Sequence, residues 1–166
     1  EAINLTGLFI DKGPVVQIKE LSGQVRQYDD ENSGVLWGGP LVVMTSRESA
    51  SASEILAGAI QDYRRGLIVG DPSTHGKGTV QSLIDIGQQV FNGLDGMGAL
   101  KLTIQQFYLP DGKSTQRQGV MSDIILPAIT ASLDNTESDL DYALPNDQVR
   151  GADHIDYKMV DSSMLA

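Results

Sequence analysis

The chain has 166 residues, enough for one domain with a sizeable core. Its net charge of −10 and pI near 4.4 exclude the basic surface that non-specific binding to nucleic acid or an anionic membrane needs. The absence of cysteine excludes disulfides, thiolate metal sites and a thiol nucleophile, and leaves cytoplasm and periplasm equally open. No run of 18 apolar residues occurs, so no membrane-spanning helix is expected. The chain opens on Glu1 and reads as an excised piece, so the lack of a signal peptide is uninformative.

In chain order, the apolar spacing of residues 1–10 predicts the end of an amphipathic helix, stopped by Gly13-Pro14. Residues 14–20 and 23–30 read as a hairpin around Ser22-Gly23. The apolar run "GGPLVVMTS" predicts a buried strand, residues 51–65 a helix, and "GLIVGD" (66–71) a second buried strand. "PSTHGKG" is a glycine-rich loop and "TVQSLIDI" a strand. Residues 87–97 read as a loop, "ALKLTIQQFYLP" as an alternating strand, "DGKSTQRQG" as a turn and loop, and "DIILP" as a short last strand. From about residue 128 the chain turns acidic: residues 134–166 hold eight of the 22 Asp and Glu against two Lys and Arg. That composition predicts an extension that is partly packed or disordered. Strand, helix, strand over 40–71 predicts a βαβ crossover in a mixed α/β domain.

The chemistry concentrates in "TSRESASASEILAGAIQDYRR", with Ser46, Ser49, Ser51 and Ser53 ahead of a helix. Two readings stand side by side. Ser51 with Glu54 three residues on is a capping box. A serine at a strand-to-helix turn is also where hydrolases display a nucleophile, beside amides that can hold an oxyanion. A nucleophile needs a base. The histidines, His75 and His154, come with no context that fixes a triad. A Ser–Lys pair needs a lysine able to take a proton, a state that burial favours. Lys77, in "HGKGT", has no acidic residue within five positions and is the best candidate. "GDPSTHGKGT" also resembles a degenerate P-loop. It has five residues between Gly70 and Gly76 where four are needed, and Gly78 where a hydroxyl is needed.

These residues resemble the carboxyl-terminal processing peptidases, or tail-specific proteases. The matching blocks are "GPLVVMTSRESASASEILAGAIQDYRRGLIVGDPSTHGKGTVQ", "LTIQQFYLPDGKSTQRQGVMSDIILP" and "ALPNDQ", closest to the long Gram-negative periplasmic branch. The resemblance implies an α/β core of mixed sheet and helix, crotonase/ClpP-like, in a fragment lacking the family's PDZ domain. Residues 1–127 would be the C-terminal part of the Ser–Lys peptidase core and residues 128–166 its acidic extension. Ser51 would be the nucleophile, Lys77 the base and Gln81 the lysine's support. Ala52 would give one oxyanion-hole amide, the other coming from a glycine-rich turn ahead of Glu1. Asp62 matches a supporting position; it lies 11 residues after Ser51, about 16 Å along a helix, too far to touch the serine.

The implied activity is endopeptidase cleavage of proteins with nonpolar or unstructured C-termini, in the periplasm, without cofactor or metal. An adaptor or lipoprotein partner of the parent protein belongs to the same expectation. The isolated fragment is expected to be weak or inactive. A non-catalytic crotonase-like binding domain and a nucleotide-binding module are the alternatives. Two departures stand out. The dyad spacing, Ser51 to Lys77, is one residue longer than the family's usual one, which bears on where Lys77 sits and whether His75 enters the site. Ser122 stands where proline is usual.

Overall fold

The computed structural model describes residues 1–90, 93, 96–132, 135–161 and 163. Two sheets share one core. The first is antiparallel and four-stranded, in the order β2 (Val25–Asp30), β1 (Gly13–Glu20), β6 (Ala99–Tyr108), β5 (Thr79–Asp85). The hairpin at Ser22-Gly23 forms as its turn residues predict, with Lys19 opposite Val25. The second sheet is parallel, in the order β3 (Val42–Thr45), β4 (Leu67–Gly70), β7 (Ile124–Ile125). Helix α2 (Ala52–Asp62) connects β3 to β4, so the crossover expected over 40–71 is present. The mixed α/β architecture is therefore as expected.

Helix α2 is built from strong helix formers and presents Ala57, Ala59 and Ile60 to the core, where Ile10, Val15, Tyr63, Ile68, Leu109 and Val120 meet them. It stops earlier than residue 65. Arg64 takes φ 45°, its N–H bonds Gln61 O, and Arg65 N–H bonds Ile60 O, the paired bonds of a Schellman stop. Arg65 is then buried, donating to the carbonyls of Phe9, Trp37 and Gly39.

Three local expectations change. Helix α1 (Ala2–Thr6) ends at Gly7, and Gly13-Pro14 opens β1 rather than stopping a helix. Strand β3 is not buried along its length: Met44 is 76 % and Val42 56 % exposed, because β4 is its only neighbour among the described residues. Residues 86–90 form a short helix, α3 (Ile86–Val90), continuing directly from β5. The rest of the glycine-rich stretch expected as a loop includes residues 91, 92, 94 and 95, which lie outside the described residues.

The acidic segment runs back over the core. Tyr157 N–H donates to Tyr63 O and Met159 N–H to Arg64 O. Asp156 pairs with Arg64, and Asp147 with Lys19 and the Tyr108 hydroxyl. Tyr157 packs against the central cluster with its ring 6.1 Å from that of Tyr63.

Candidate active site

The six residues from β3 to α2 form a turn that the serines tie. Ser49 N–H bonds Ser46 O, Ser49 Oγ accepts from Ser46 N–H, and Ser46 Oγ accepts from Glu48 N–H. Arg47 N–H reaches Asp71 at the end of β4. Ser46 and Ser49 are thus turn builders, while Ser51 does something else. Its backbone sits at φ 58°, ψ −109°, outside the ordinary left-handed well and costly for a residue with a side chain, on the order of 1–3 kcal/mol. It is the last residue before α2, so its side chain stands at the helix's positive end.

What holds this conformation is Glu54. Its side chain is fully buried, 0 % exposed. Oε2 accepts from Ser51 N–H at 2.7 Å and from Lys77 N–H at 3.0 Å. Oε1 accepts from Gly76 N–H at 2.7 Å and from the Thr74 hydroxyl at 2.6 Å. Burial pushes the Glu54 carboxyl above its ordinary value, against four donors that pull it down. One carboxylate therefore joins the turn bearing Ser51 to the loop bearing Lys77. The capping-box spacing in the sequence pointed to the first half of this contact. Nothing in the spacing pointed to the second, because Lys77 lies 23 residues away and reaches Glu54 only through the fold.

The lysine loop is pinned on its other side too. Gly76 O accepts from Arg117 N–H at 2.7 Å, and Lys77 O from the Thr115 hydroxyl at 3.2 Å. Gly78 N–H donates to Gln116 Oε1 at 2.9 Å, and Gly78 O accepts from Phe107 N–H. Every backbone polar group from Gly76 N to Gly78 O is bonded. Gly78 has to be small: a Cβ there would meet Gln116 N and Ser114 Oγ at 2.7 Å. Thr74 bridges the same two segments, its oxygen accepting from Val120 N–H while its proton goes to Glu54.

The fold thus brings Ser51, Ala52 and Lys77 together. Their side chains make no direct Ser51–Lys77 hydrogen bond among the described residues. Ala52, the first residue of α2, is exposed and lines a groove of about 370 Å³ with Leu5, Val43, Met44 and Leu56. Gln81 is exposed on β5, just past a register irregularity, opposite Thr103. Asp62 ends α2, away from Ser51, and accepts Asp111 N–H at 2.9 Å. Burial raises its carboxyl to about 7; the Asp111 N–H pulls it down, the Asp111 charge adds to the rise, and Lys113 and His154 oppose it. His75, in the lengthened loop, is fastened through its backbone: N–H to Ser49 O, and O from Glu137 N–H. Ser122 donates to Asp71 O at 2.6 Å and serves the junction of β4 with β7. The residues that spacing did not single out are Thr74 and Gln116; the "STQR" stretch that contains Gln116 carried the resemblance without assigning it a task.

A parallel strand–helix–strand unit that presents a strained serine beside a lysine-bearing loop defines the domain as a mixed α/β fold. The sequence profile described as peptidase family S41 matches residues 1–126. The tail-specific protease of Haemophilus influenzae is 42% identical over 156 residues, covering 94% of this chain and 22% of that protein. The carboxy-terminal-processing protease of Bartonella bacilliformis is 38% identical over 127 residues, covering 76% of this chain and 27% of that protein. Among solved structures, the photosystem II D1 C-terminal processing protease superposes with a TM-score of 0.62 at 35% identity, covering 75% of this chain and 30% of that one. The chain belongs to peptidase family S41. It spans roughly a quarter of the length of these curated relatives.

Proposed function

We propose that this chain carries the Ser–Lys dyad of a carboxyl-terminal processing endopeptidase, with Ser51 as nucleophile and Lys77 as general base. The observation that carries it is the Glu54 carboxylate, which holds the amides of both residues on one oxygen. The Lys77 amine takes the proton of Ser51 Oγ as that oxygen bonds to a peptide carbonyl carbon. The charge moves to the carbonyl oxygen, where the Ala52 amide at the helix start is one donor. Collapse breaks the C–N bond, the lysine returns its proton to the leaving amine, and water hydrolyses the acyl-serine. Gln81 is assigned the support of Lys77, and Asp62 a scaffolding role at the far end of α2.

The apolar groove beside Ala52 suits a nonpolar residue of an unstructured substrate tail. By family likeness the parent protein works in the periplasm with a PDZ domain that gates the site and binds tails by strand addition, and an adaptor or lipoprotein partner fits the same reading. No helix among the described residues is long and apolar enough to cross a membrane. Residues 1–166 alone are expected to acylate about 10²–10³-fold more slowly than the full-length protein, if the second oxyanion donor lies outside them.

The test uses the full-length protein and an unfolded substrate with a nonpolar C-terminus. Ser51→Ala and Lys77→Ala should each abolish cleavage, and a fluorophosphonate probe should label Ser51 only when Lys77 is present. Retained cleavage by either variant would refute the dyad.

A further inference from the structure

The side of the lysine loop away from Glu54 is held by the acidic segment, through one residue pair. Gln116 is fully buried in the turn after β6. Its Oε1 accepts Gly78 N–H, the amide next to Lys77. Its Nε2 donates to Glu137 Oε1 at 2.8 Å and to Leu144 O at 3.2 Å, both in the acidic segment. Glu137 closes the ring from the other end of the loop, its own N–H donating to His75 O at 2.9 Å. Asn146 adds a second fastening, with Nδ2 bonded to Ser114 O and Gln116 O at 2.9 and 2.8 Å. Residues 75 and 78, which bracket Lys77, are thus both tied to Glu137, one directly and one through Gln116.

We infer that residues 136–146 are a positioning element for the base, with Glu137 and Gln116 as the positioning residues that set where Lys77 stands relative to Ser51. The inference rests on the dyad reading above. A buried carboxamide can orient the loop because its two ends are chemically distinct. The oxygen must face Gly78 N–H, and the amine must face acceptors. Glu137 Oε1 and Leu144 O supply those acceptors and so fix which way the amide points. Take Glu137 away and the Gln116 amine loses its charged partner while the loop loses its second anchor. The extra residue that lengthens this loop is then accommodated because the His75 carbonyl has an acceptor role of its own.

The experiment compares Glu137→Ala, Glu137→Gln and Asn146→Ala in the full-length protein, measuring kcat, KM and Tm. Glu137 is only partly buried and Asn146 likewise, so both alanine variants should fold. Glu137→Ala should lower kcat about ten-fold with KM unchanged, since misplacement of a catalytic group acts on the chemical step. Asn146→Ala should move kcat in the same direction. Glu137→Gln keeps an oxygen for the Gln116 amine and should restore most of kcat. Wild-type kcat in both alanine variants, or a glutamine variant as slow as the alanine one, would overturn the inference. Unimpaired cleavage by Ser51→Ala would instead overturn the dyad, so the two failures are told apart.

Discussion

At the scale of single residues, Glu54 carries more of the site than either member of the proposed dyad. Four donors converge on its two oxygens, three of them backbone amides. Only a carboxylate can accept at both ends. In Glu54→Gln one end becomes an amine facing two donors, either Ser51 and Lys77 or Thr74 and Gly76. Such a variant should lose about 3 kcal/mol in denaturant unfolding and lose probe labelling of Ser51 together. A glutamine variant with native stability and labelling would show that the carboxylate is dispensable. Sequence spacing made Glu54 visible as a cap, and Ser51 with it. The strain at Ser51 was not visible, because φ and ψ of a serine are set by what surrounds it.

At the scale of elements, α2 links two different environments. Its start holds Ser51, and its end sets the half-buried Asp62 beside Leu109 and the turn at Asp111. The Asp62 carboxyl has a folded value near 7 against 3.8 unexceptionally, so the folded state keeps a proton that the unfolded chain releases. Stability from this group is therefore complete below about pH 4 and is lost as pH rises to about 7, by on the order of a few kcal/mol. Asp62→Asn retains an acceptor for Asp111 N–H without the titration. Its Tm should fall less than that of the wild type between pH 5 and pH 8; parallel curves would disprove the assignment. The helix was legible from its apolar spacing, but its stop was not. The sequence offers no glycine there, and the left-handed position falls to Arg64, which is paired with Asp156 from the distant acidic segment.

For the whole molecule, the acidic composition of residues 134–166 pointed to an extension partly packed or disordered, and its described residues are bound to the core at several points. Few apolar side chains are needed, because its bonds are made by backbone amides and by acids that find Lys19 and Arg64. Tyr157 adds apolar packing against the central cluster. Tyr157→Ala should cost about 2–3 kcal/mol in thermal or denaturant unfolding, mainly through contacts with Tyr63 and the central cluster. A neutral result would mean that the segment lies on the core without stabilising it.

The sequence by itself determined the strands, the central helix, the βαβ order, the family, and Ser51 and Lys77 as the pair to watch. Those are carried by hydrophobic periodicity, turn residues and motif blocks, all of them local. The tertiary structure decided that one buried carboxylate couples the two loops, that Gln81 lies exposed on β5, that β3 is largely uncovered, and that Glu137 reaches the lysine loop. The first and last depend on groups far apart in the chain meeting at hydrogen-bonding distance, and the other two on which elements cover a strand; spacing along the chain carries no record of either.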